Sequence, residues 1–270
     1  MKFTILLPIY QRKDLEGAFI EVIKSIYGNT LLPDQLIILI DGDLNPSFFK
    51  NVNKLKNIHN FEIYYPKLKL GLSKILNKGI TLSRNDWIIR ADGDDINLSN
   101  RFETLTKYMK EDYDLIGSKV IEYNKSKNVK IIKNIPYALT DIKKFSKVRN
   151  PFNHMSVAYK KNTLIEVGLY PDLYLKEDYG LWIKILSNKK YKIINLPEAL
   201  VEVNASDEMY SRRGGLEYLK SELQLFFFKN KYKIHNPYEG IIILFIRTFF
   251  LIFPNFLKIL IYRIILRKSY

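Results

Sequence analysis

The 270-residue chain is 47% apolar and carries 43 basic against 28 acidic side chains, a formal net charge of +15. This length suits one α/β domain with an extension or two small domains, and the apolar fraction excludes an intrinsically disordered chain. The chain has no cysteine, which excludes a disulfide framework, a thiolate zinc site and a cysteine nucleophile, and its three histidines leave little material for a histidine-based metal site.

The first 114 residues alternate between apolar strands and helical patterns. The N-terminal run Phe3–Ile9 contains a proline and lacks a small-residue cleavage site, so we expect a buried first strand rather than a signal peptide, and a protein on the cytoplasmic side. Further strands are predicted at 36–40, 61–65 and 87–91, and helices at 15–27, at 73–82 and from a cap at Ser99 to Met109, with a helix or loop at 46–57. Continuous apolar strands separated by helices predict a parallel sheet covered on both faces.

The pattern becomes mixed after Asp114. Strands are predicted at 115–123, 129–132, 155–159, 192–196 and 200–203, and helices at 141–148, from 163, at 181–186 and at 214–228. We therefore expect one α/β domain over residues 1–205, with halves at 1–114 and 115–205, followed by a helical extension over 206–270.

The C-terminal extension combines apolar bulk with positive charge. Residues 241–266 are dominated by Ile, Leu and Phe, but basic residues and a proline interrupt them before the roughly 18 apolar residues of a spanning helix are reached. Residues 241–270 carry five basic side chains and no acidic one. This pattern favours a helix lying in the headgroup region of an anionic leaflet over the alternative, a pair of helices packed on the domain or at a dimer contact.

Carboxylates follow two of the predicted strands. Asp41-Gly42-Asp43 follows the second strand, and Asp92-Gly93-Asp94-Asp95 follows the fourth. Ligands of a doubly wound sheet bind beyond the carboxyl ends of its strands, and carboxylates crowded there repel one another unless a cation or a donor-rich ligand lies among them. The hard oxygens of residues 92–95 favour Mg²⁺ or Mn²⁺ shared with phosphate oxygens. An EF-hand is excluded because the loop lacks the glycine at its sixth position and the closing glutamate, and no P-loop or dinucleotide fingerprint is present.

A second acidic pair, Glu177-Asp178, precedes a predicted helix. One interpretation is that both carboxylates only complement the helix N-terminus and that Trp182 belongs to the core, which we prefer for the tryptophan. For Asp178 a functional interpretation is favoured, since a carboxylate near a metal–phosphate site takes a proton from an attacking hydroxyl group.

Six motifs in this order resemble those of the family 2 glycosyltransferases, and the resemblance covers about residues 3–205. They are Leu7-Pro8-Ile9-Tyr10, Asp41-Gly42, Gly71-Leu72-Ser73 through Leu76-Asn77-Lys78-Gly79-Ile80, Arg90-Ala91-Asp92-Gly93-Asp94-Asp95, Asn153-His154-Met155-Ser156 and Glu177-Asp178-Tyr179-Gly180-Leu181-Trp182. The resemblance implies a GT-A fold, which is Rossmann-like with a mostly parallel sheet and a mixed second half. Residues 1–114 would bind the nucleotide sugar and 115–205 the acceptor. Gly180 departs from the family pattern, which has a larger residue there.

The same resemblance implies roles for individual residues. The backbone at Pro8 and Tyr10 and the Asp41 carboxylate would hold the nucleotide base. Asp92 would face the ribose or the metal, and Asp94 would bind a Mn²⁺ or Mg²⁺ ion bridging the donor diphosphate. Asp178 would be the catalytic base. The further candidates for donor or acceptor contact are Lys74, Arg90, Asp95, His154, Glu177 and Arg212, of which Lys74, Arg90, His154 and Arg212 suit a structural or surface role equally well.

The function implied is inverting transfer of one sugar from a nucleotide sugar, expected to be a UDP-hexose, to a hydroxyl group of a lipid-linked saccharide such as an undecaprenyl-diphosphate sugar, in O-antigen or capsule synthesis. The basic tail would hold the protein peripherally on the inner face of the cell membrane, and no nucleic-acid partner is expected. One alternative is a non-catalytic membrane-peripheral or polyanion-binding protein, which the net charge would explain. The other, a nucleotidyltransferase, needs a basic Gly-rich loop that does not follow the first strand.

Overall fold

A mixed sheet organises the part of the chain that the computed structural model describes, residues 1–12, 15–124, 128–205 and 215–249. The first half contains β1 (Phe3–Ile9), α1 (Leu15–Tyr27), β2 (Gln35–Ile40), α2 (Pro46–Ile58), β3 (Glu62–Tyr64), α3 (Leu72–Leu82), β4 (Trp87–Arg90), β5 (Ile96–Asn97) and α4 (Arg101–Met109). The second half contains β6 (Leu115–Asn124), β7 (Val129–Lys133), α5 (Leu139–Val148), β8 (Ala158–Lys160), α6 (Lys161–Glu166), α7 (Glu177–Ser187), β9 (Ile193–Asn204), α8 (Gly215–Lys231) and α9 (Pro237–Phe249).

Within those residues the sheet has nine strands in the order β3-β2-β1-β4-β8-β6-β9-β5, and β7 pairs with β6 off this path. Strands β3, β2, β1 and β4 are mutually parallel. Strand β8 runs antiparallel to both β4 and β6, and β6 is parallel to β9. The expected combination of a parallel first half and a mixed second half is confirmed.

Helices cover both faces of the parallel half of the sheet, where β1 and β2 are apolar at successive positions. Ile5 and Ile38 face a core that also contains apolar residues of α1, α2 and α4. Leu6 and Leu39 face the opposite core, which contains apolar residues of α3 and α7. Burial on both faces is what continuous apolar strands require.

The motif of α3 has structural roles. A Cβ on Gly79 would lie 2.7 Å from Leu39 Cδ1 and 3.1 Å from Leu6 Cδ2, so glycine allows the helix to approach the sheet closely. Asn77 donates from Nδ2 to the Tyr170 carbonyl at 3.0 Å and accepts the Tyr170 N–H at 2.9 Å. The helix therefore fixes the loop before α7.

Several predicted boundaries differ from the structure, and three of the differences are informative. Helix α4 begins at Arg101 and its N-cap residue is Asn100, not Ser99. The strand predicted at 155–159 is a 3₁₀ turn at His154–Ser156 followed by β8, because Ser156 Oγ and the Asn153 side chain bond to the Ser118 carbonyl in place of a strand ladder. The strands predicted at 192–196 and 200–203 form the single strand β9, whose pairing with β6 shifts register around Lys119. A β-bulge of this kind accommodates extra residues in one strand without ending its pairing with the neighbouring strand.

Helices α8 and α9 pack together, and α8 packs against α7. In the described residues 215–249, the alternative of a helical pair packed on the domain is therefore observed, while the predicted tail at 250–270 lies outside the described residues. One side of α9 leaves large apolar side chains exposed, with Ile242 at 61% and Phe245 at 67%. None of the helices in the described part of the chain is both long enough and apolar enough to cross a bilayer.

Candidate active site

The Asp92–Asp95 turn lies against the end of β1. Residues Leu6 and Arg90 are paired in the parallel register of β1 and β4, so both strands end at the same edge of the sheet. A Cβ on Gly93 would lie 2.8 Å from Ile9 Cγ2 and 3.7 Å from the Pro8 carbonyl oxygen. Glycine is therefore required for the acidic turn to reach the strand that ends at Pro8 and Ile9.

The carboxylates of this turn, which we call the acidic turn, differ in exposure and in partner. Asp92 forms an ion pair with Arg90, and Asp94 forms one with Arg12. The side chains of Asp92 and Asp94 are 26% and 22% exposed, whereas Asp95 is 3% exposed and accepts the Asn204 N–H at 3.3 Å. Burial, and next the charges of Asp92 and Asp94, raise the pKa of Asp95 well above its usual value.

The acidic turn suits a divalent cation shared with phosphate. Among the described residues, no three His, Cys, Asp or Glu side chains converge closely enough to enclose a metal on their own. Asp92 and Asp94 are partly accessible hard-oxygen donors, and each forms an ion pair with a guanidinium group, of Arg90 and Arg12 respectively. Mg²⁺ and similar ions are commonly held by one or two carboxylates with phosphate and water completing the shell. The residues therefore fit a metal held jointly with a diphosphate.

Arg101, which was not among the predicted site residues, bonds to the end of β4, just before the acidic turn. Its side chain is fully buried. It donates from Nη2 to the carbonyls of Arg90 at 2.7 Å and Met155 at 2.8 Å, and from Nη1 to Asn97. Burial lowers its pKa to about 9, although the charges of Asp95 and Asp92 act in the opposite direction. The guanidinium thus ties α4 to the strand that leads into the acidic turn.

We expect Arg101→Met to lower the free energy of unfolding by about 3 kcal/mol, because removing the guanidinium leaves its hydrogen-bond acceptors, two carbonyls and the Asn97 side chain, without this donor. Urea denaturation followed by circular dichroism measures this. Lys107→Met is the matched control, since Lys107 lies on the same helix and forms an exposed ion pair with Glu103 at 3.3 Å, so it is expected to change stability far less. Equal losses in the two variants would contradict the assigned role of Arg101.

Asp41 follows β2 and its side chain bonds to the loop between β3 and α3. Its carboxylate accepts the N–H of Leu70 at 2.6 Å and of Gly71 at 3.2 Å, and the side chain is buried. Gly71 has φ of 85°, the left-handed region that glycine adopts without strain. The placement at the sheet edge agrees with the sequence prediction, and contact between Asp41 and a nucleotide base stays a prediction.

Asp178 lies in the first turn of α7 with both carboxylate oxygens bonded. Oδ2 accepts Asn150 Nδ2 at 2.6 Å, and Oδ1 accepts the Tyr179 N–H at 2.6 Å. Burial raises the pKa of Asp178, while these two hydrogen bonds and the charges of Lys176 and Lys133 oppose the rise. Burial, and next the charge of Asp178, raises the pKa of its neighbour Glu177 to about 7. The bonds orient a carboxylate that the environment pushes toward protonation.

His154, Tyr170 and Tyr159 form a hydrogen-bonded chain that lies within electrostatic range of Arg90 and Asp178. His154 Nε2 lies 2.8 Å from the Tyr170 hydroxyl, which lies 3.1 Å from the Tyr159 hydroxyl. Burial raises the pKa of Tyr170 well above its usual value, and the charges of both Arg90 and Asp178 also act on it. Burial and the charge of Arg90 lower the pKa of His154, which keeps the imidazole neutral. The charges of Asp178 and of Arg90, the partner of Asp92, therefore both reach Tyr170.

The remaining predicted residues lie nearer the surface or in the core. Lys74 is 63% exposed and its Nζ is 3.6 Å from the Asp172 carboxylate. Tyr10 is 42% exposed, and the Arg12 guanidinium carbon lies 5.9 Å from its ring centre. Trp182 is fully buried, as expected of a core residue. Arg212 lies outside the described residues.

Gly180, where the sequence departs from the family pattern, has a packing role. A Cβ there would lie 2.5 Å from Pro171 Cγ and 2.7 Å from Leu173 Cδ1. The loop before α7 can therefore rest directly on the helix that carries Asp178.

Asn150 was not predicted, and its hydrogen bond to Asp178 has a testable consequence for the pH dependence. A donor to a carboxylate favours the ionised form, so Asn150→Ala is expected to raise the pKa of Asp178. As the pH is lowered, any activity that needs the ionised carboxylate then begins to fall at a higher pH than in the wild type. Rate–pH profiles measure the shift. Asn162→Ala is the control, because Asn162 donates to the exposed Glu166 carboxylate at 2.7 Å; a shift of the same size in the control would contradict the assignment.

The arrangement combines two chemical capacities. Asp92 and Asp94 present oxygen ligands for a cation beside the end of β1, and Asp178 presents an oriented carboxylate able to accept a proton. Asp92 and Asp94 lie at the carboxyl ends of the parallel strands, where ligands of such sheets bind.

Comparison with known proteins identifies the family. The family model described as glycosyl transferase family 2 matches residues 4–173. The chain is 36% identical, over 99% of its length and 97% of the relative's, to a UDP-Gal:alpha-D-GlcNAc-diphosphoundecaprenol beta-1,3-galactosyltransferase of Escherichia coli. It is 32% identical, over 93% of its length and 94% of the relative's, to the amylovoran biosynthesis glycosyltransferase AmsE of Erwinia amylovora.

The fold is shared with solved structures. The crystal structure of S. aureus TarS 1–349 in complex with UDP-GlcNAc is similar with a TM-score of 0.67 and 14% identity, over 92% of this chain and 72% of that one. This likeness confirms the expected GT-A architecture, and the matching family model and the two relatives confirm the expected family. The chain belongs to glycosyl transferase family 2.

Proposed function

We propose that the protein transfers one sugar, with inversion, from a UDP-sugar to a hydroxyl group of a lipid-diphosphate-linked saccharide during synthesis of a bacterial surface polysaccharide. The observation that supports this proposal most directly is the Asp178 carboxylate, which hydrogen bonds from Asn150 and from the Tyr179 N–H hold in one orientation. The galactosyltransferase relative, matched over 99% of this chain, supports a UDP-hexose donor and a lipid-diphosphate acceptor, and AmsE supports the polysaccharide context.

The donor half of the reaction rests on the acidic turn. Asp94, with Asp92 beside it, would hold a Mn²⁺ or Mg²⁺ ion against the donor diphosphate. When bound, the ion neutralises the charge that develops on the departing nucleoside diphosphate. Arg90 keeps Asp92 in place through their ion pair.

The acceptor half rests on Asp178. The carboxylate takes the proton of the acceptor hydroxyl while the hydroxyl oxygen forms a bond to the anomeric carbon. The bond from that carbon to the diphosphate oxygen breaks on the opposite face, and its electron pair leaves with the nucleoside diphosphate. A single displacement of this kind converts an α-linked donor into a β-linked product without a covalent enzyme intermediate.

Peripheral attachment to the cytoplasmic membrane surface is the second part of the proposal. Its support is the exposed apolar side of α9, which includes Ile241, Ile242 and Phe245, followed along the chain by more apolar and basic residues. An amphipathic helix with these features binds the boundary between headgroups and acyl chains. This location would bring the site to a lipid-linked acceptor.

A donor screen tests the function. The purified full chain is incubated with UDP-Gal, UDP-Glc, UDP-GlcNAc or GDP-Man, Mn²⁺, and a short-chain lipid-diphosphate GlcNAc acceptor, and the released nucleotide and glycosylated product are measured. We expect transfer from one UDP-hexose in preference to GDP-Man. If no donor supports transfer and calorimetry detects no UDP binding with Mn²⁺, the proposal is wrong and the polyanion-binding alternative gains support.

A further inference from the structure

The first turn of α7 is fastened to the C-terminal helices on both sides of Asp178. Lys176, two residues before Asp178, contacts α8, and so does Tyr179, the residue after it. The two contacts use different chemistry and different residues of α8. Together they define the position of the short segment that carries the proposed base.

The first contact is a buried group of three charges. Glu222 of α8 is 2% exposed. It accepts Arg247 Nε at 2.6 Å and Nη2 at 2.7 Å, and Lys176 Nζ lies 2.9 Å from Oε1. The Lys176 carbonyl in turn accepts the Gly180 N–H at 2.8 Å. Lys176 is the N-cap residue of α7. Its contact with Glu222 therefore also holds the start of the helix that carries Asp178.

The second contact is a buried lysine. Lys229 of α8 donates from Nζ to the Tyr179 hydroxyl and to the Lys147 carbonyl, both at 2.8 Å. The Tyr179 hydroxyl donates to the Ser146 carbonyl at 2.7 Å. The same lysine thus joins α7 to the end of α5.

The end of α5 leads directly to Asn150, the residue that bonds to the Asp178 carboxylate. Arg247 of α9 donates from Nη1 to the Val148 carbonyl at 2.6 Å, which adds a third bond to this segment. Helices α8 and α9 therefore hold both partners of the Asn150–Asp178 hydrogen bond. Buried ion pairs contribute little net stability relative to apolar residues of the same volume, so their placement here favours a geometric role.

We propose that Glu222, Arg247 and Lys229 are positioning residues for the transfer reaction, and that they hold Asp178 and Asn150 at the distance the reaction needs. The C-terminal helices are then part of the catalytic apparatus as well as a means of attachment. This inference rests on the proposed function of Asp178. It extends the site beyond residue 205, where the sequence-based domain boundary was placed.

The test compares two carboxylates of α8 in the full chain, assayed in detergent with a short-chain lipid acceptor so that membrane attachment does not limit the rate. Glu222→Gln is expected to lower kcat about 10- to 100-fold, the cost of a misplacement near 1 Å, with the donor KM and the UDP–Mn²⁺ Kd unchanged within about twofold. Glu217→Gln is the matched control, because Glu217 forms an exposed ion pair with Lys220 at 2.8 Å. It is expected to keep the wild-type kcat.

If Glu222→Gln does not fold, a second variant and a second measurement test the positioning role. Tyr179→Phe keeps the ring and removes the hydroxyl that Lys229 contacts, so it is expected to lower kcat with the same unchanged donor affinity. Hydrogen exchange monitored by mass spectrometry should rise in residues 146–150 and 176–180 but not in residues 92–95. Wild-type kcat in both variants, or exchange that rises uniformly, would overturn the positioning role. Failure of the wild type to transfer any sugar would instead overturn the proposed function, and the exchange result would still report on the contacts.

Discussion

Replacing Asp178 with asparagine is expected to lower kcat for sugar transfer by about 10²- to 10⁴-fold, the usual contribution of a general base. The carboxamide has nearly the same shape and its oxygen can still accept the Tyr179 N–H, but it cannot take the proton of the acceptor hydroxyl. Binding of UDP with Mn²⁺ is expected to be unchanged, because Asp178 is not among the residues proposed to hold the nucleotide or the metal. Steady-state rates and calorimetry on the same preparation separate the two effects.

The matched control is Asp141→Asn, because Asp141 is an exposed carboxylate in the first turn of α5. This variant is expected to leave both quantities unchanged.

Glu177 is the alternative candidate for the base, because it neighbours Asp178 and its pKa is raised to about 7. A base of that pKa is active above about pH 7 and loses activity as the pH falls through that value. If Asp178→Asn keeps substantial activity with an acidic limb near pH 7, and Glu177→Gln abolishes it, Glu177 is the base.

Much of the fold was predictable because its signals are local. The limits of β1 and α1 agree with the sequence prediction at both ends, since an unbroken apolar run and a helical apolar spacing each lie within one segment. The acidic turn was predictable for a related reason: it directly follows β4, and the carboxyl ends of parallel strands meet at one edge. The glycine within it supplied a second local signal.

The partners of the site residues were not predictable, because they are distant along the chain. Arg101 bonds to the carbonyl of Met155, and Asn150 bonds to Asp178, 28 residues away. In sequence, Arg101 looks like any arginine in the first turn of a helix and Asn150 like any loop asparagine. The contacts of Glu222 with Lys176 and Arg247 have no sequence signature either, which is why the sequence favoured membrane attachment of the C-terminal helices over packing on the domain.

Replacing Asp94 with alanine is expected to remove the Mn²⁺ dependence of UDP binding and to lower transfer by about 10²-fold or more, since a metal that neutralises a leaving diphosphate supplies several kcal/mol of transition-state stabilisation. The ion pair of Asp94 with Arg12 offers a competing explanation, in which the carboxylate serves only to hold the arginine. Arg12→Ala distinguishes the two, because it keeps the carboxylate and removes the guanidinium. Calorimetry with UDP in Mn²⁺ and in EDTA is the measurement. If Asp94 binds the metal, only Asp94→Ala abolishes the difference between the two conditions; if both variants abolish it equally, Asp94 acts through Arg12 and the metal assignment is wrong.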